Sequence, residues 1–142
     1  MKYIQITSIK DSDIPFLISV HRSPEISRFI SINEKKYFKY VTEAENVFYY
    51  KVFDSERLVA SVHCELEDTT LFLSLLVIPD FQRQGIGTAI LSDIKNGVLP
   101  IAFKKIYVSI DEDNSASLQL FKKAGFSQIS KEDKLIDFIY NK

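Results

Sequence analysis

The central part of the sequence constrains the fold most, because three strand-like runs follow one another there with very short spacers. Val47–Phe53, Arg57–Leu66 and Thr69–Ile78 are rich in β-branched and aromatic residues, which favour strands. The spacers Asp54–Glu56 and Glu67–Asp68 are too short for a helix and have hairpin lengths. These runs therefore predict an antiparallel meander at the centre of the fold.

Helical and strand-like segments surround this meander, and their order predicts the fold class. No linker of Gly, Ser or Pro divides the chain, so residues 1–142 are expected to form one α/β (α+β) domain on a single, largely antiparallel sheet. Outside the meander the pattern predicts a strand at Tyr3–Ile9, a helix at Asp11–His21, a helix capped by Ser23 before Pro24, a helix from the cap Asn33 to about Ala44, a helix from Gly85 to Gly97, a strand at Lys105–Ile110, a helix at Asn114–Ala124 and a strand at Leu135–Tyr140.

The charge balance argues against two classes of partner. Eighteen Lys and Arg oppose 19 Asp and Glu, so the formal net charge is −1. This balance provides no electrostatic basis for binding nucleic acid or an anionic membrane. The longest apolar run, Leu71–Ile78, falls well short of the ~20 residues that a membrane span needs. We therefore expect neither nucleic acid nor membrane among the partners.

Cysteine and histidine usage bounds the cofactors and the compartment. Cys64 is the single cysteine, so no intramolecular disulfide forms, and it shares a strand face with Val62 and Leu66, which predicts a core residue. His21 and His63 are the only histidines, too few for a structural zinc cluster. We therefore expect no metal and a cytoplasmic location for the protein.

A glycine-containing loop follows the third strand of the meander and predicts an anion site. The chain contains only four glycines, and two of them, Gly85 and Gly87, stand where a strand gives way to a helix. Glycines let the backbone approach a ligand closely, and a helix start has unpaired N–H groups and the positive end of the helix dipole. Arg83 adds a positive charge, so a phosphate or pyrophosphate is the expected ligand.

Two common nucleotide motifs do not fit this loop. A P-loop ends in Gly-Lys-Ser/Thr, and Gly87-Thr88 lacks the lysine. A dinucleotide fingerprint needs a third glycine where Ile90 stands. A purely structural explanation, in which Gly85 and Gly87 only allow tight strand–helix packing, stays open on these residues alone.

Two motifs together resemble the GNAT superfamily of N-acetyltransferases. Gln82-Arg83-Gln84-Gly85-Ile86-Gly87, after a strand that ends at Val77 and a following Pro79, resembles motif A of that family, Gln/Arg-x-x-Gly-x-Gly/Ala. Asn114-x-x-Ser117-x-x-Leu120-Phe121-x-x-x-Gly125-Phe126 is similar to the second family signature. The order and spacing of both motifs match, and the element order covers essentially the whole chain. The resemblance implies the acyl-CoA N-acyltransferase (GNAT) fold, a mixed, mostly antiparallel sheet with helices on both faces.

The resemblance implies acetyl-CoA as the acetyl donor and gives a binding role to three segments. The loop would hold the pyrophosphate through backbone N–H groups, the strand end would pair with the pantetheine amides, and the second-signature helix would lie beside the thiol-bearing arm. Asn114 in this helix is equally well explained as the N-cap. The residues so implicated are Leu75, Leu76, Val77, Gln82, Arg83, Gln84, Gly85, Ile86, Gly87, Thr88, Asn114 and Phe121.

The resemblance is weakest at the residues that would carry the chemistry. It implies the backbone N–H of Val77 as the donor to the thioester carbonyl. Many relatives have a general-acid tyrosine where Phe121 stands and a glutamate where Ser109 stands. Phenylalanine has no ionisable proton, and a serine is a poor base that could order a water. Glu65 lies on the polar strand face Ser61–Glu67 and is a substitute base, although a solvated polar face explains the same pattern.

Two functions stay open for this domain, which is expected to act as a monomer or homodimer. The first is a single-domain acetyltransferase that moves the acetyl group directly to the primary amine of a small molecule or peptide. The second is an acyl-CoA-binding or sensing module with weak or no catalysis, which Phe121 favours. A phosphate-binding structural protein unrelated to coenzyme A leaves the helix motif at Asn114 unexplained. The sequence identifies no acceptor.

Overall fold

A computed structural model describes residues 1–142, and its strands and helices follow the predicted order with one strand added. In chain order they are β1 Lys2–Gln5, α1 Ile14–Arg22, α2 Pro24–Ser27, α3 Glu34–Glu43, β2 Val47–Asp54, β3 Arg57–Glu67, β4 Thr70–Val77, α4 Ile86–Lys95, β5 Lys105–Asp111, α5 Ser115–Lys123, β6 Ser127–Glu132 and β7 Leu135–Asn141. A turn of 3₁₀ helix, Pro79–Phe81, follows β4. None of these helices combines the length and the apolar character that crossing a membrane requires.

All seven strands form one sheet in the order β1-β2-β3-β4-β5-β7-β6. The predicted meander is confirmed, because β2 pairs antiparallel with β3 and β3 pairs antiparallel with β4. A single parallel pair, β4 with β5, joins the meander to the C-terminal strands. The sheet is therefore mixed and mostly antiparallel, as the fold prediction requires.

The parallel pair opens into a gap. Only Thr70–Phe72 pairs with Lys105–Tyr107. Beyond these rungs β4 stays paired with β3 as far as Val77, and β5 stays paired with β7 as far as Asp111. Paired strands lie about 4.8 Å apart, so the loss of pairing leaves a wedge between β4 and β5. Backbone groups that point into this wedge have no strand partner.

Helices cover both faces of the sheet, because alternate strand positions are apolar on each face. On one face α4 and α5 cover the main core cluster, to which α4 contributes Ile86, Ile90 and Ile94 at four-residue spacing. On the other face α1 and α3 form a smaller cluster with β2, in which Leu17 and Phe38 are almost fully buried. The expected arrangement of helices on both faces is confirmed.

Helices α1–α3 cover their face of the sheet only in part. The two clusters that they form contain strand residues of the meander but none of β5, β6 or β7. Ser109 of β5 is exposed on that face, and β6 is exposed along its whole length. The C-terminal half of this face is therefore open.

The structure differs from the predicted elements at three places. Strand β6 was not predicted, because Ser127–Glu132 has no apolar alternation; it is held by its pairing with β7 and by an ion pair of Lys131 with Glu112 (2.6 Å). Strand β1 ends well before Ile9, although the buried Ile6 still donates to a β2 carbonyl. Ser23 is the N-cap residue of α2, as predicted, but its side chain makes no capping hydrogen bond, because its Oγ donates to the carbonyl of Val20 in α1 (2.6 Å).

Two further local predictions are confirmed. Asn33 caps α3, since its Oδ1 accepts the backbone N–H of Lys36 (3.2 Å). Cys64 is fully buried in the main core cluster. Burial raises the pKa of the Cys64 thiol to about 12, which makes it a poor nucleophile.

Candidate functional site

A cleft of about 880 Å³ lies where the end of β4, the loop after it and the first turns of α4 and α5 meet. We call it the loop groove. It brings together nearly all of the residues that the resemblance implicates in cofactor binding. Gln84 is the exception, because it lies outside the lining and its Nε2 donates back to the carbonyl of Asp80 (3.4 Å). The implicated residues that line the groove are Leu75, Leu76, Val77, Gln82, Arg83, Gly85, Ile86, Gly87, Thr88, Asn114 and Phe121.

The loop presents backbone N–H groups to this groove. Arg83 and Gly85 have positive φ values of 62° and 79°, which curl the chain into the start of α4. Gly85 is the N-cap, and Ala89 N–H makes the first bond back to its carbonyl (3.0 Å). The N–H groups of residues 86–88 therefore have no partner within the helix, and the helix dipole adds positive potential there. This geometry suits an anion.

Glycine is favoured at the two positions of the loop for different structural reasons. A Cβ added at Gly85 would meet no atom within 4 Å, so its left-handed φ, and not crowding, favours glycine there. A Cβ added at Gly87 would lie 2.9 Å from Cδ2 of Leu120. Gly87 therefore allows α4 and α5 to pack closely. The packing explanation applies to Gly87 but not to Gly85.

The end of β4 presents backbone groups to the gap between β4 and β5. Ile78 N–H donates to the carbonyl of Val59 in β3 (2.9 Å). Because successive residues of a strand direct their N–H groups to opposite sides, the N–H of Val77 points into the gap. The carbonyl of Val77 accepts Nε2 of Gln82 (3.1 Å). Gln82 therefore braces the peptide unit that directly follows the one whose N–H was predicted to polarise a thioester.

Asn114 and Phe121 place α5 at the inner end of the groove. Asn114 Oδ1 accepts the backbone N–H of Ser117 (3.2 Å), so it caps α5, and the same residue also lines the groove. Phe121 is buried, and its ring packs edge-on against Phe126 with 5.1 Å between centroids. Phe121 therefore contributes a phenyl ring to the lining of the groove, and this ring has no hydroxyl that could donate a proton.

A second, smaller cleft of about 310 Å³ is lined by strands β3, β4 and β5. We call it the sheet cleft. His63 and Glu65 line it from β3, and Tyr107, Ser109 and Asp111 line it from β5. The loop groove and the sheet cleft therefore meet beside the gap between β4 and β5, where they share Phe29, Ile30, Leu75, Asn114, Ser117 and Phe121.

Glu65 is held at the wall of the sheet cleft by side chains of α3 and β3. Tyr40 Oη donates to Glu65 Oε1 (2.6 Å). His63 Nε2 lies 2.8 Å from Oε2, in electrostatic contact but out of line for a hydrogen bond. His63 Nδ1 in turn lies 3.0 Å from Tyr37 Oη. The side chains of α3 therefore cover His63 and Glu65 on the strand face that was expected to be solvated, and Ser61 on the same face is buried as well.

The protonation states of the side chains around Glu65 follow from burial and from one hydrogen bond. Burial lowers the pKa of His63, and the nearby Glu65 offsets this only in part, so the imidazole is neutral at neutral pH. The hydrogen bond to Glu65 raises the pKa of Tyr40, and burial raises the pKa of Tyr37. Both phenols therefore stay protonated. Tyr40 therefore keeps the proton that it donates to Glu65.

Ser109 also lines the sheet cleft, but its hydroxyl is engaged. Ser109 Oγ donates to Asp137 Oδ1 (2.5 Å), and Ser130 Oγ donates to Oδ2 (2.8 Å). Hydrogen bonds from hydroxyl groups lower the pKa of Asp137, and the bond from Ser109 has the largest effect. Asp137 was missed by the sequence reasoning, because it meets Ser109 only through the pairing of β7 with β5. The sequence signal that could have identified Asp137 is that it is a polar residue on the predicted last strand, opposite Ser109.

The wall of the loop groove opposite α4 was also missed. Glu25, Arg28 and Phe29, in α2 and the turn after it, line this wall. The sequence pattern favours a solvated helix face for Glu25 and Arg28 and places Phe29 on the apolar face. The Arg28 guanidinium stacks over the ring of Phe29, 4.6 Å from its centroid. The tertiary position of a four-residue helix has no local sequence signal.

The site thus combines a helix start suited to phosphate with a gap between two parallel strands. The model of the acetyltransferase (GNAT) family matches residues 14–126. The match extends over most of the chain, and the chain belongs to this family. The seven-stranded mixed sheet is the fold of the family, and family membership supports acetyl transfer with acetyl-CoA as the donor.

Solved structures share this fold over nearly the whole chain. A domain from Methanocaldococcus jannaschii DSM 2661 superposes with a TM-score of 0.81 at 22% identity, over 99% of this chain and 98% of its own. The Campylobacter jejuni N-acetyltransferase PseH, solved in complex with acetyl coenzyme A, superposes with a TM-score of 0.79 at 13% identity, over 99% and 97% of the two chains. At these identities the likeness shows the fold.

One curated relative shares sequence over part of its length. The [ribosomal protein bS18]-alanine N-acetyltransferase of Escherichia coli (strain K12) is 30% identical over 63 residues, which are 44% of this chain. The matched region spans 42% of the relative's own length. This partial match is consistent with the family and leaves the acceptor of the present chain undefined.

Proposed function

We propose that the protein transfers an acetyl group from acetyl-CoA directly to a primary amine. The observation that carries this proposal is the meeting of the loop groove and the sheet cleft beside the gap between β4 and β5. A thioester held in the groove and an amine held in the cleft can react at this junction. The one thiol of the chain, Cys64, is buried in the core, which favours direct attack over an acetylated enzyme.

The loop groove fits acetyl-CoA in chemistry and in size. The N–H groups of residues 86–88, with Arg83 beside them, suit the pyrophosphate. The backbone of Leu75 and Val77, which faces the gap, suits the amides of the pantetheine arm. A cleft of about 880 Å³ lies within the usual range of ligand pockets. When bound, acetyl-CoA supplies an acyl group activated by its thiolate leaving group.

Glu65 is the proposed acceptor of the proton that the amine must lose. An alkylamine with a pKa near ~10.4 is mostly protonated at neutral pH and needs a base before it can attack. Glu65 lines the sheet cleft, and Tyr40 and His63 hold its carboxylate. Ser109 lines the same cleft and is proposed to order a water that links the amine to this base.

Val77 is the proposed donor to the thioester carbonyl. Its N–H faces the gap, and Gln82 fixes the carbonyl of the same residue. A donor fixed before the reaction stabilises developing negative charge most effectively. Phe121 offers no proton to the leaving thiolate. A thiol with a pKa near ~8.5 can leave as the thiolate and take its proton from water.

A binding or sensing module is the second candidate, and Phe121 is the observation that favours it. Replacing Phe121 by Tyr places a hydroxyl at the edge of the ring that lines both cavities. We expect turnover in F121Y to rise or to stay unchanged, measured as thiol release with an active amine. A large loss of turnover at unchanged acetyl-CoA affinity would mean that the phenyl ring shapes the acyl pocket.

Calorimetric titration with acetyl-CoA, followed by thiol-release assays on a panel of primary amines, tests the function. The proposal expects saturable binding and amine-dependent release of free thiol. Binding without turnover on any amine supports the sensing module. Absence of binding at millimolar acetyl-CoA overturns both candidates.

A further inference from the structure

We propose, building on the transfer function above, that the sheet cleft selects a cationic amine on an apolar body and rejects amines that carry a carboxylate or phosphate beside the amino group. The charges that line the cleft, the partners of its carboxylates and its apolar walls each support this selection. Together these three features specify the chemical class of the acceptor amine.

The two cavities differ in the charges that line them. In the loop groove Arg28, Arg83 and Lys123 provide positive charge beside two acidic residues. In the sheet cleft the charged lining residues are Glu65 and Asp111, and no Lys or Arg is among its lining. The groove can therefore neutralise an anion, whereas the cleft cannot.

The carboxylates at the sheet cleft are held by neutral donors. Tyr40 donates a hydrogen bond to Glu65, and the neutral imidazole of His63 lies beside the same carboxylate. A backbone N–H donates to Asp111 Oδ1 (2.8 Å). On β7, the strand next to β5, Asp137 accepts hydrogen bonds from the hydroxyls of Ser109 and Ser130. These contacts orient the carboxylates but leave their negative charge in place.

Several carboxylates elsewhere in the fold are paired with a cation. Lys51 Nζ lies 3.0 Å from Asp11 and 2.6 Å from Asp13. The guanidinium of Arg22 lies 2.6 Å from Glu34. No Lys or Arg lines the sheet cleft to play this part, so its negative charge is not compensated there, and an ammonium ion is the ligand that it attracts.

Apolar side chains complete the walls of the sheet cleft. Phe72 and Tyr107 lie 5.2 Å apart between ring centroids, and Phe29 and Leu75 line the side shared with the loop groove. A hydrocarbon or aromatic body can pack against these surfaces. A carboxylate on the carbon that bears the amine would lie among like charges with no cation to meet it, which weakens binding.

A matched set of amines tests this selection. Phenethylamine and phenylalanine have the same ring and chain and differ by one carboxylate, and phenylalaninamide keeps the substituent without the charge. At saturating acetyl-CoA we expect kcat/KM for phenethylamine to exceed that for phenylalanine by about tenfold or more, mainly through KM. We expect phenylalaninamide to recover most of the loss. A kcat/KM for phenylalanine equal to that for phenethylamine overturns the proposal.

Asp111→Asn tests the charge itself. Asparagine keeps a side-chain oxygen to accept the backbone N–H of Asp113 but removes the negative charge. We expect the preference for phenethylamine over phenylalanine to narrow severalfold in D111N. Glu67→Gln is the matched control, because Glu67 is exposed on the strand of Glu65 but lies outside both cavities. An unchanged preference in D111N contradicts the proposal.

Binding measurements separate this selection from the transfer function. Phenethylamine and phenylalanine are each titrated calorimetrically into the protein in the presence of coenzyme A. Absence of thiol release with every amine overturns acetyl transfer, whereas binding of phenethylamine but not of phenylalanine still supports the selection. Equal binding of both amines, or binding of neither, overturns it.

Discussion

The loop groove and the sheet cleft are built in opposite ways, although they share one wall. The loop groove depends on backbone groups that are close in sequence, between Val77 and Thr88. The sheet cleft depends on side chains that come from separate strands, such as Glu65 of β3 and Ser109 of β5. A local motif can specify the first cavity, whereas only the tertiary fold can assemble the second. The loop groove, which is the proposed acetyl-donor site, should therefore be sensitive to backbone changes. The sheet cleft, which is the proposed acceptor site, should be sensitive to side-chain changes.

The largest effect is expected at the loop groove from Gly85→Glu. Gly85 has a φ of 79°, and the position is open, so glutamate adds a strained backbone and a negative charge at the proposed anion site. We expect acetyl-CoA affinity to fall by at least about a hundredfold, measured by calorimetry.

Gly97→Glu is the matched control for this change. Gly97 has a similar φ of 77° and equally open surroundings, but it follows the far end of α4 and lies outside the groove. Both variants should lose about 1–2 kcal/mol of stability from the left-handed backbone. If G97E loses acetyl-CoA affinity as severely as G85E, strain and not the anion site explains the result.

The next largest effect, a loss of turnover, is expected at the sheet cleft from Glu65→Gln. The amide keeps the shape of the side chain but cannot take a proton from the amine. We expect kcat to fall by roughly a hundredfold or more while acetyl-CoA affinity is retained. Thiol release and calorimetry on the same preparation measure both quantities, and Glu67→Gln again serves as the control.

A kcat in E65Q within a few-fold of the unaltered protein would assign the proton to another group. Asp137 is the next carboxylate on this face, because it accepts the hydroxyl of Ser109. Asp137→Asn would then carry the large loss of kcat. Either result keeps the chemistry in side chains of the sheet, whereas loss of acetyl-CoA affinity in E65Q would contradict the separation of the two cavities.

Acidification is expected to destabilise the α1–α3 side of the fold. Burial lowers the pKa of His21 and His63, so both imidazoles are neutral in the folded chain. The unfolded chain binds protons near pH ~6.5, so stability is retained above that pH and falls as pH drops towards the folded pKa values. The slope is at most about 1.4 kcal/mol per pH unit for each histidine. Urea unfolding at several pH values measures it.

His21→Phe sharpens this pH prediction. His21 is buried, neither ring nitrogen has a partner, and the ring packs edge-on against Tyr37 and Phe38. Phenylalanine suits these contacts and removes one titrating group, so the loss of stability on acidification should become shallower. The same slope in H21F as in the unaltered protein would contradict burial of a neutral imidazole at this position.

The sequence predicted most of the fold because most of its signals are local. Alternating apolar residues predict the meander, and the cap at Asn114 predicts the start of α5. The signals that failed are not local. Strand β6 has no apolar pattern of its own and depends on its pairing with β7. Tyr40 reaches Glu65 only after α3 folds onto the sheet, and Asp137 meets Ser109 only across paired strands.

The smallest effect is expected from Gly87→Ala, which decides whether this glycine belongs with the ligand or with the packing. The new Cβ would lie 2.9 Å from Cδ2 of Leu120, the mobile end of a side chain. That crowding opposes the gain in helix propensity of about 1 kcal/mol. We therefore expect a net stability change within about 1 kcal/mol and acetyl-CoA affinity within a few-fold of the unaltered protein.

Repeating Gly87→Ala in a Leu120→Ala background separates the two explanations. Removing the leucine side chain relieves the crowding, so the alanine at position 87 should then stabilise α4 by about its helix propensity. Urea unfolding of the single and double variants measures this reversal. If G87A instead lowers acetyl-CoA affinity by tenfold or more in both backgrounds, the ligand needs close approach at Gly87 as well. Both glycines would then belong to the donor site, and the packing of α4 on α5 would be its consequence.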